Sequence, residues 1–187
     1  MQRQDSFWSF SVRTYRKEGV AEACLSLQER HGIDVNVLLY CCWYGSTRGE
    51  LDPPAMERIL SFADPWAENV VRPLRAARTW LKSTGCSHAF VPDEPCMALR
   101  EEIKRAELRA EQLQENRMQA LTAGEARRNV EKALQIECSI LNIKRYLMTL
   151  EVKIGAKSRS QLACIVNAAI RGAEPHTVAD SLYRTLI

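Results

Sequence analysis

Hydrophobic positions recur along most of this chain at intervals of three and four residues. In residues 6–16, Trp8, Val12 and Tyr15 share one side of a predicted helix, with Phe7 and Phe10 beside them. In residues 20–31, Val20, Ala23, Cys24 and Leu27 follow the i, i+3, i+4, i+7 spacing of a buried helical face. Gly32 then supplies a residue able to take the left-handed conformation that stops a helix. The stretch HGIDVNVLLYCCWYGSTRG, residues 31–49, is almost wholly apolar at its centre. Asp34 can N-cap a helix over 35–44, and Gly45 can end it. The alternation Val35, Val37, Leu39 also suits a strand, but no other segment offers a partner, and an unpaired strand leaves backbone groups unsatisfied.

Asp52 and the two prolines after it open a helix running to about Phe62. Asp64 and Pro65 repeat the signature, and Trp66, Val70, Leu74, Ala77 and Leu81 hold phase across Pro73, which predicts one kinked helix to Lys82. Residues 83–95 are aperiodic and read as a linker. Beyond it, Leu99, Ile103, Ala106, Ala110 and Leu113 form one seam, and Ala133, Ile136, Ile140, Ile143, Leu147 and Leu150 form another. A break at residues 122–124 separates them, so the pair predicts a long antiparallel helical hairpin. Charged residues around the first seam, Glu107 and Glu111 among them, read as a solvated face. Ser158 with Gln161, and Thr177 with Asp180, read as capping boxes for short helices over 159–171 and 178–187. The expected fold is therefore all-α, a bundle of about eight or nine helices. An N-terminal half, 1–82, surrounds the central helix 35–44; the linker 83–95 joins it to 96–187.

Composition narrows the function more than it identifies it. The 187 residues carry 26 basic and 23 acidic side chains, a net charge of +3 that gives no electrostatic case for nucleic acid. No stretch approaches the roughly 18 to 20 apolar residues of a membrane span, and the first residues lack the apolar core of a secretory signal. Seven scattered cysteines without that signal predict reduced thiols in a cytoplasm. Adjacent side chains on a helix diverge by about 100°, so Cys41 and Cys42 are poorly placed to share one ion. No His or Lys lies between residues 35 and 45 to activate either thiol, and both are expected in the core. Cys86, His88 and Cys96 make a weak zinc constellation, one ligand short of the usual four.

No glycine-rich phosphate loop, G-x-S-x-G or H-E-x-x-H occurs, and Asp34, Asp52 and Asp64 all sit where helix caps belong. The expectation is a non-enzymatic protein without a cofactor. Arg72, Arg75, Arg78 and Lys82 form a basic stripe that could meet phosphates or an acidic partner, although such stripes are usually solvated surface. RYLMTLEVKIGAKSRSQL, residues 145–162, is similar to the closing part of a LuxR-type helix-turn-helix at Lys153, Gly155, Ser158, Arg159, Gln161 and Leu162. The continuous helix expected over 133–150 leaves no room for separate scaffold and recognition helices.

The N-terminal half carries a more specific likeness. Its run of Phe7-Trp8, Gly19-Val20, Leu27-Gln28, Gly32, Asp34-Val35-Asn36, Leu38-Leu39 and Trp43, with PWAENVVRPLRAAR further on, resembles a family of uncharacterised, mainly proteobacterial proteins. The likeness extends to RAELRAEQ and NIKRYL, and it implies a bacterial cytoplasmic helical protein with no catalytic residues to carry over. Within that run Asn36 is a polar residue in an apolar helix and must find partners. It and Gln28 could lock the core, or with Trp8, Trp43 and Tyr44 they could line an apolar pocket for a small ligand. The leading expectation is interaction with another protein or self-association through the packed half and the charged hairpin. Small-ligand binding comes second and nucleic acid third.

Overall fold

The computed structural model describes residues 6–83, 93–124 and 131–186. Among them are nine α-helices and no strand: α1 (Phe7–Tyr15), α2 (Val20–His31), α3 (Val35–Thr47), α4 (Pro53–Trp66), α5 (Arg72–Ser83), α6 (Asp93–Leu121), α7 (Lys132–Thr149), α8 (Ala156–Ala169) and α9 (Pro175–Thr185). No described helix is long and apolar enough to cross a membrane.

Helix α3 is the axis of the fold. Every residue from Val37 to Gly45 is buried, so the helix is covered on all sides, as its lack of a polar face requires. Asp34 does cap it, its Oδ1 accepting from the Asn36 N–H at 2.8 Å. Helices α1, α2, α6, α7 and α8 surround it, and α7 makes the most extensive contact. One continuous hydrophobic core includes residues from Phe7 in α1 to Leu182 in α9.

Gly45 does not end α3, contrary to expectation. A Cβ built on it would lie 2.5 Å from the Cα, N and Oγ of Ser139 on α7, so the two helices cross at a distance only glycine permits. The helix continues to Thr47 and stops where Arg48 and Gly49 both donate to the Tyr44 carbonyl, with Gly49 at a φ of +99°. Asn142 completes the joint from α7. Its side chain accepts from the Leu51 N–H at 2.7 Å and donates to the carbonyls of Cys41 and Gly49.

Three further boundaries differ from the sequence reading. Asp64 and Pro65 do not start a new helix: α4 runs through them, and a π-helical turn, Ala67–Val71, joins it to α5. Wider turns are one way a helix accommodates a ring that lacks an N–H and crowds the preceding turn, here between Pro65 and Pro73. Helix α8 begins at Ala156 after Gly155, and α9 begins at Pro175 after Glu174, so neither Ser158 nor Thr177 is a cap. Ser158 is buried in the first turn of α8 and bonds His31 Nε2 at 2.8 Å.

The long hairpin also requires correction. Helix α6 packs chiefly along α5, and α7 along α3, rather than on each other. The α7 seam is buried as expected at Ile136, Ile140, Ile143 and Leu147. On α6, Leu99 and Leu113 face solvent, while Glu107, Ala110, Gln114, Glu115 and Met118 are buried. A polar face won because neighbouring helices supply its hydrogen-bond partners, which a seam pattern alone does not register.

Candidate functional site

The buried polar face of α6 borders a cavity of about 600 Å³ between α1, α2, α3, α5 and α6. Glu107, Glu111 and Glu115 stand on successive turns and line it. From α5, Arg75 spans the cluster: Nε donates to Glu107 at 2.8 Å, Nη2 to Glu111 at 2.6 Å, and Nη1 to Gln28 of α2 at 2.5 Å. Arg78 pairs with Glu107 through Nε and Nη2. From α1, Ser11 Oγ donates to Glu115 Oε1 at 2.7 Å. The apolar part of the wall includes Trp8, Val12, Leu25, Val35, Leu39 and Leu108.

Beneath the cavity, Gln114 ties α3 to α6 and α4. It accepts from Asn36 Nδ2 at 2.7 Å and donates from Nε2 to Asp34 Oδ2 at 2.8 Å and to the Ala63 carbonyl at 3.3 Å. The Asp34 N–H in turn donates to the Tyr146 hydroxyl of α7 at 2.8 Å. Asn36 therefore finds its partner in Gln114 rather than in Gln28, and it also lines the cavity.

The three glutamates differ electrostatically. Burial pushes Glu107 up, but hydrogen bonds from Arg78 and Arg75 outweigh it and hold its carboxyl below the usual range. Burial raises Glu111 despite the Arg75 guanidinium. Glu115 is pushed up to about 8: burial dominates, Ser11 opposes it, and the charges of Glu111 and Asp34 add to it. At neutral pH Glu115 is therefore largely protonated. Its Oε2 is buried without a hydrogen-bond partner, although the residue lines the cavity and is only 1% exposed. Buried polar atoms are rarely left in that state.

Of the proposed pocket residues, Trp8, Gln28 and Asn36 line this cavity, while Trp43 and Tyr44 do not. Trp43 packs with Phe7 and Tyr40 at centroid distances of 5.5 Å, and the Arg48 guanidinium sits over the Trp43 and Tyr44 rings. The basic stripe divides: Arg72 and Lys82 are exposed, whereas Arg75 and Arg78 turn toward α6 and its glutamates. Reading Glu107 and Glu111 as solvated missed this, because the arginines that pair with them come from a different helix. The available clue was spacing: Arg75 and Arg78 stand one turn apart on α5, and Glu107, Glu111 and Glu115 recur every four residues on α6.

Cys24, Cys41 and Cys42 pack in the hydrophobic core. Cys24, Cys41, Cys42 and Cys164 are free thiols, and burial raises Cys24 and Cys42 to about 12. Cys96 is instead disulfide-bonded, so the expectation of reduced thiols fails there and it is not a free zinc ligand. Cys86 and His88 lie outside the described residues. Among the described residues, no group of three His, Cys, Asp or Glu side chains is placed to hold a metal. The LuxR-like segment covers the end of α7, a turn and the start of α8; α7 is a single helix packed on α3.

Residues 6–118 match the protein family described as protein of unknown function (DUF2390). The chain belongs to this family. The matched span runs from the start of α1 into the last part of α6 and contains every residue that lines the cavity. The likeness read at residues 142–147 falls beyond it. No curated protein and no solved structure matches the chain.

Proposed function

We propose that this is a non-enzymatic bacterial protein that binds a small organic ligand in the cavity between α1, α2, α3, α5 and α6. The observation that carries this reading is Glu115: a buried carboxyl with one unpartnered oxygen, at a cavity of about 600 Å³. Pockets for small molecules commonly combine that size with mostly apolar walls and a few polar groups. Five helices and three ion pairs hold those polar groups in place before any ligand arrives. A panel of neutral, anionic and cationic fragments, followed by ligand-detected NMR, tests the reading. Several members should bind, and Leu108→Trp, at a half-exposed wall position, should block them. No binding from any charge class at millimolar concentration, or binding that persists in Leu108→Trp, would count against it.

A second reading, docking of a protein partner or another copy of this chain, is favoured by the apolar side chains that α6 turns outward. Leu99 is 49% and Leu113 43% exposed, on one face with the exposed Ala106. Light scattering across a concentration series tests self-association, and a pull-down tests a partner; a strict monomer that captures nothing specific would count against this reading. Nucleic acid is less well supported, because Arg75 and Arg78 are engaged with Glu107 and Glu111.

A further inference from the structure

We propose that the cavity recognises an organic ammonium ion, its nitrogen seated against the Glu111 and Glu115 carboxyl groups and its apolar or aromatic body lying along Trp8, Val35 and Leu39. This rests on the ligand-binding reading and adds the chemical class. Three observations select a cation over an anion. All three nitrogens of Arg75 are committed, to Glu107, Glu111 and Gln28, and Arg78 is held by Glu107 through two. An incoming carboxylate or phosphate would therefore compete with Glu107 and Glu111 for these guanidinium groups. Glu115 Oε2, by contrast, has no partner at all. The charged neighbours that act on Glu115 are Glu111 on its own helix and Asp34 at the start of α3, both negative. A positive group placed there relieves their mutual repulsion.

Arg16 and Lys104 also line the cavity, but neither is among the charges that act on Glu115, so the ammonium seat is confined to the Glu111 and Glu115 carboxyl groups. Ser11 of α1 donates to Oε1 and leaves Oε2 to the guest. Trp8, a half-buried indole on the same helix, offers a π face of the kind that attracts ammonium groups. Leu39 and Val35 of α3 and Leu108 of α6 add apolar surface. Because Glu115 holds a proton near neutral pH, it must release that proton to solvent when the ammonium ion arrives. Binding is then an exchange: one cation enters and up to one proton leaves.

The test uses the full chain and three probes of one shape: phenethylamine, phenethyl alcohol and hydrocinnamate. Calorimetry near neutral pH, in two buffers of different protonation enthalpy, reads affinity and proton release together. Phenethylamine should bind most tightly and release protons. Glu115→Gln should weaken it by about 10- to 100-fold, the worth of one charge-assisted hydrogen bond, and abolish proton release. Glu115→Asp should keep part of both, and circular dichroism of each variant checks that it is folded. Equal or tighter binding of the alcohol or the acid would overturn the proposal, as would an unchanged amine affinity in folded Glu115→Gln. Failure of all three probes would overturn it too, while the wider fragment panel still judges ligand binding separately.

Discussion

Gly45→Ala isolates the close crossing of α3 and α7. On helix propensity alone, replacing a mid-helix glycine by alanine stabilises by about 1 kcal/mol. Here the added Cβ would stand 2.5 Å from three atoms of Ser139, where ordinary contact is 3.4–4 Å. Two of those atoms belong to the backbone, so no rotamer change relieves the clash, and α3 and α7 must separate by about 1 Å. A gap of that size forfeits a quarter to a half of the dispersion energy of each contact it opens. Among the described residues this is the most extensive helix–helix contact. Overpacking of this kind costs about 1–3 kcal/mol, and the upper part of that range applies because backbone meets backbone. After the propensity gain, the net loss should be about 2 kcal/mol, or about 4–8 °C in Tm for a chain of this length. Urea unfolding and differential scanning calorimetry measure it. Gly45→Ala/Ser139→Gly should recover little, since the Ser139 N and Cα remain. An alanine variant as stable as the parent would refute the close crossing.

Glu115 should make stability depend on pH. Its carboxyl lies at about 8 in the fold against an ordinary 4.5, so between those values the native state holds a proton that the unfolded chain has released. That contribution is fully present below the lower value and is lost as pH rises through the upper one, at up to about 1.4 kcal/mol per pH unit. Glu115→Gln should flatten the slope and match the parent most closely at low pH; an unchanged slope by urea unfolding would refute the assignment. Asn142→Ala should cost about 3 kcal/mol or more, because it orphans the buried Leu51 N–H and removes the donor to two carbonyls; a loss below about 1 kcal/mol in chemical denaturation would show that water replaces it. Gly32 has open space around it but a φ of +68°, so Gly32→Ala should cost about 1–2 kcal/mol and Gly32→Asn distinctly less, by thermal melts.

The boundaries of α2, the Asp34 and Asp52 caps, the burial of α3 and the α7 seam were all legible in the chain. Each depends on residues within a few positions of one another, where periodicity and capping chemistry act directly. Asn36 stands out in the sequence as a polar residue in an apolar helix, but its partner does not. The amide it reaches, on Gln114, is 78 positions away.

What the sequence determined by itself was the all-α class and most of the helix ends, because the hydrogen bonds that make a helix are local. Tertiary structure decided which face of α6 turns inward. Leu99 and Leu113 give the stronger apolar pattern, yet Glu107 and Glu115 are buried, since Arg75, Arg78 and Ser11 meet them there. It also decided that Gly45 is a crossing point rather than a stop. Both outcomes turn on the same physics. The cost of burying a charge, and the distance at which two backbones can pass, are set by residues from other helices.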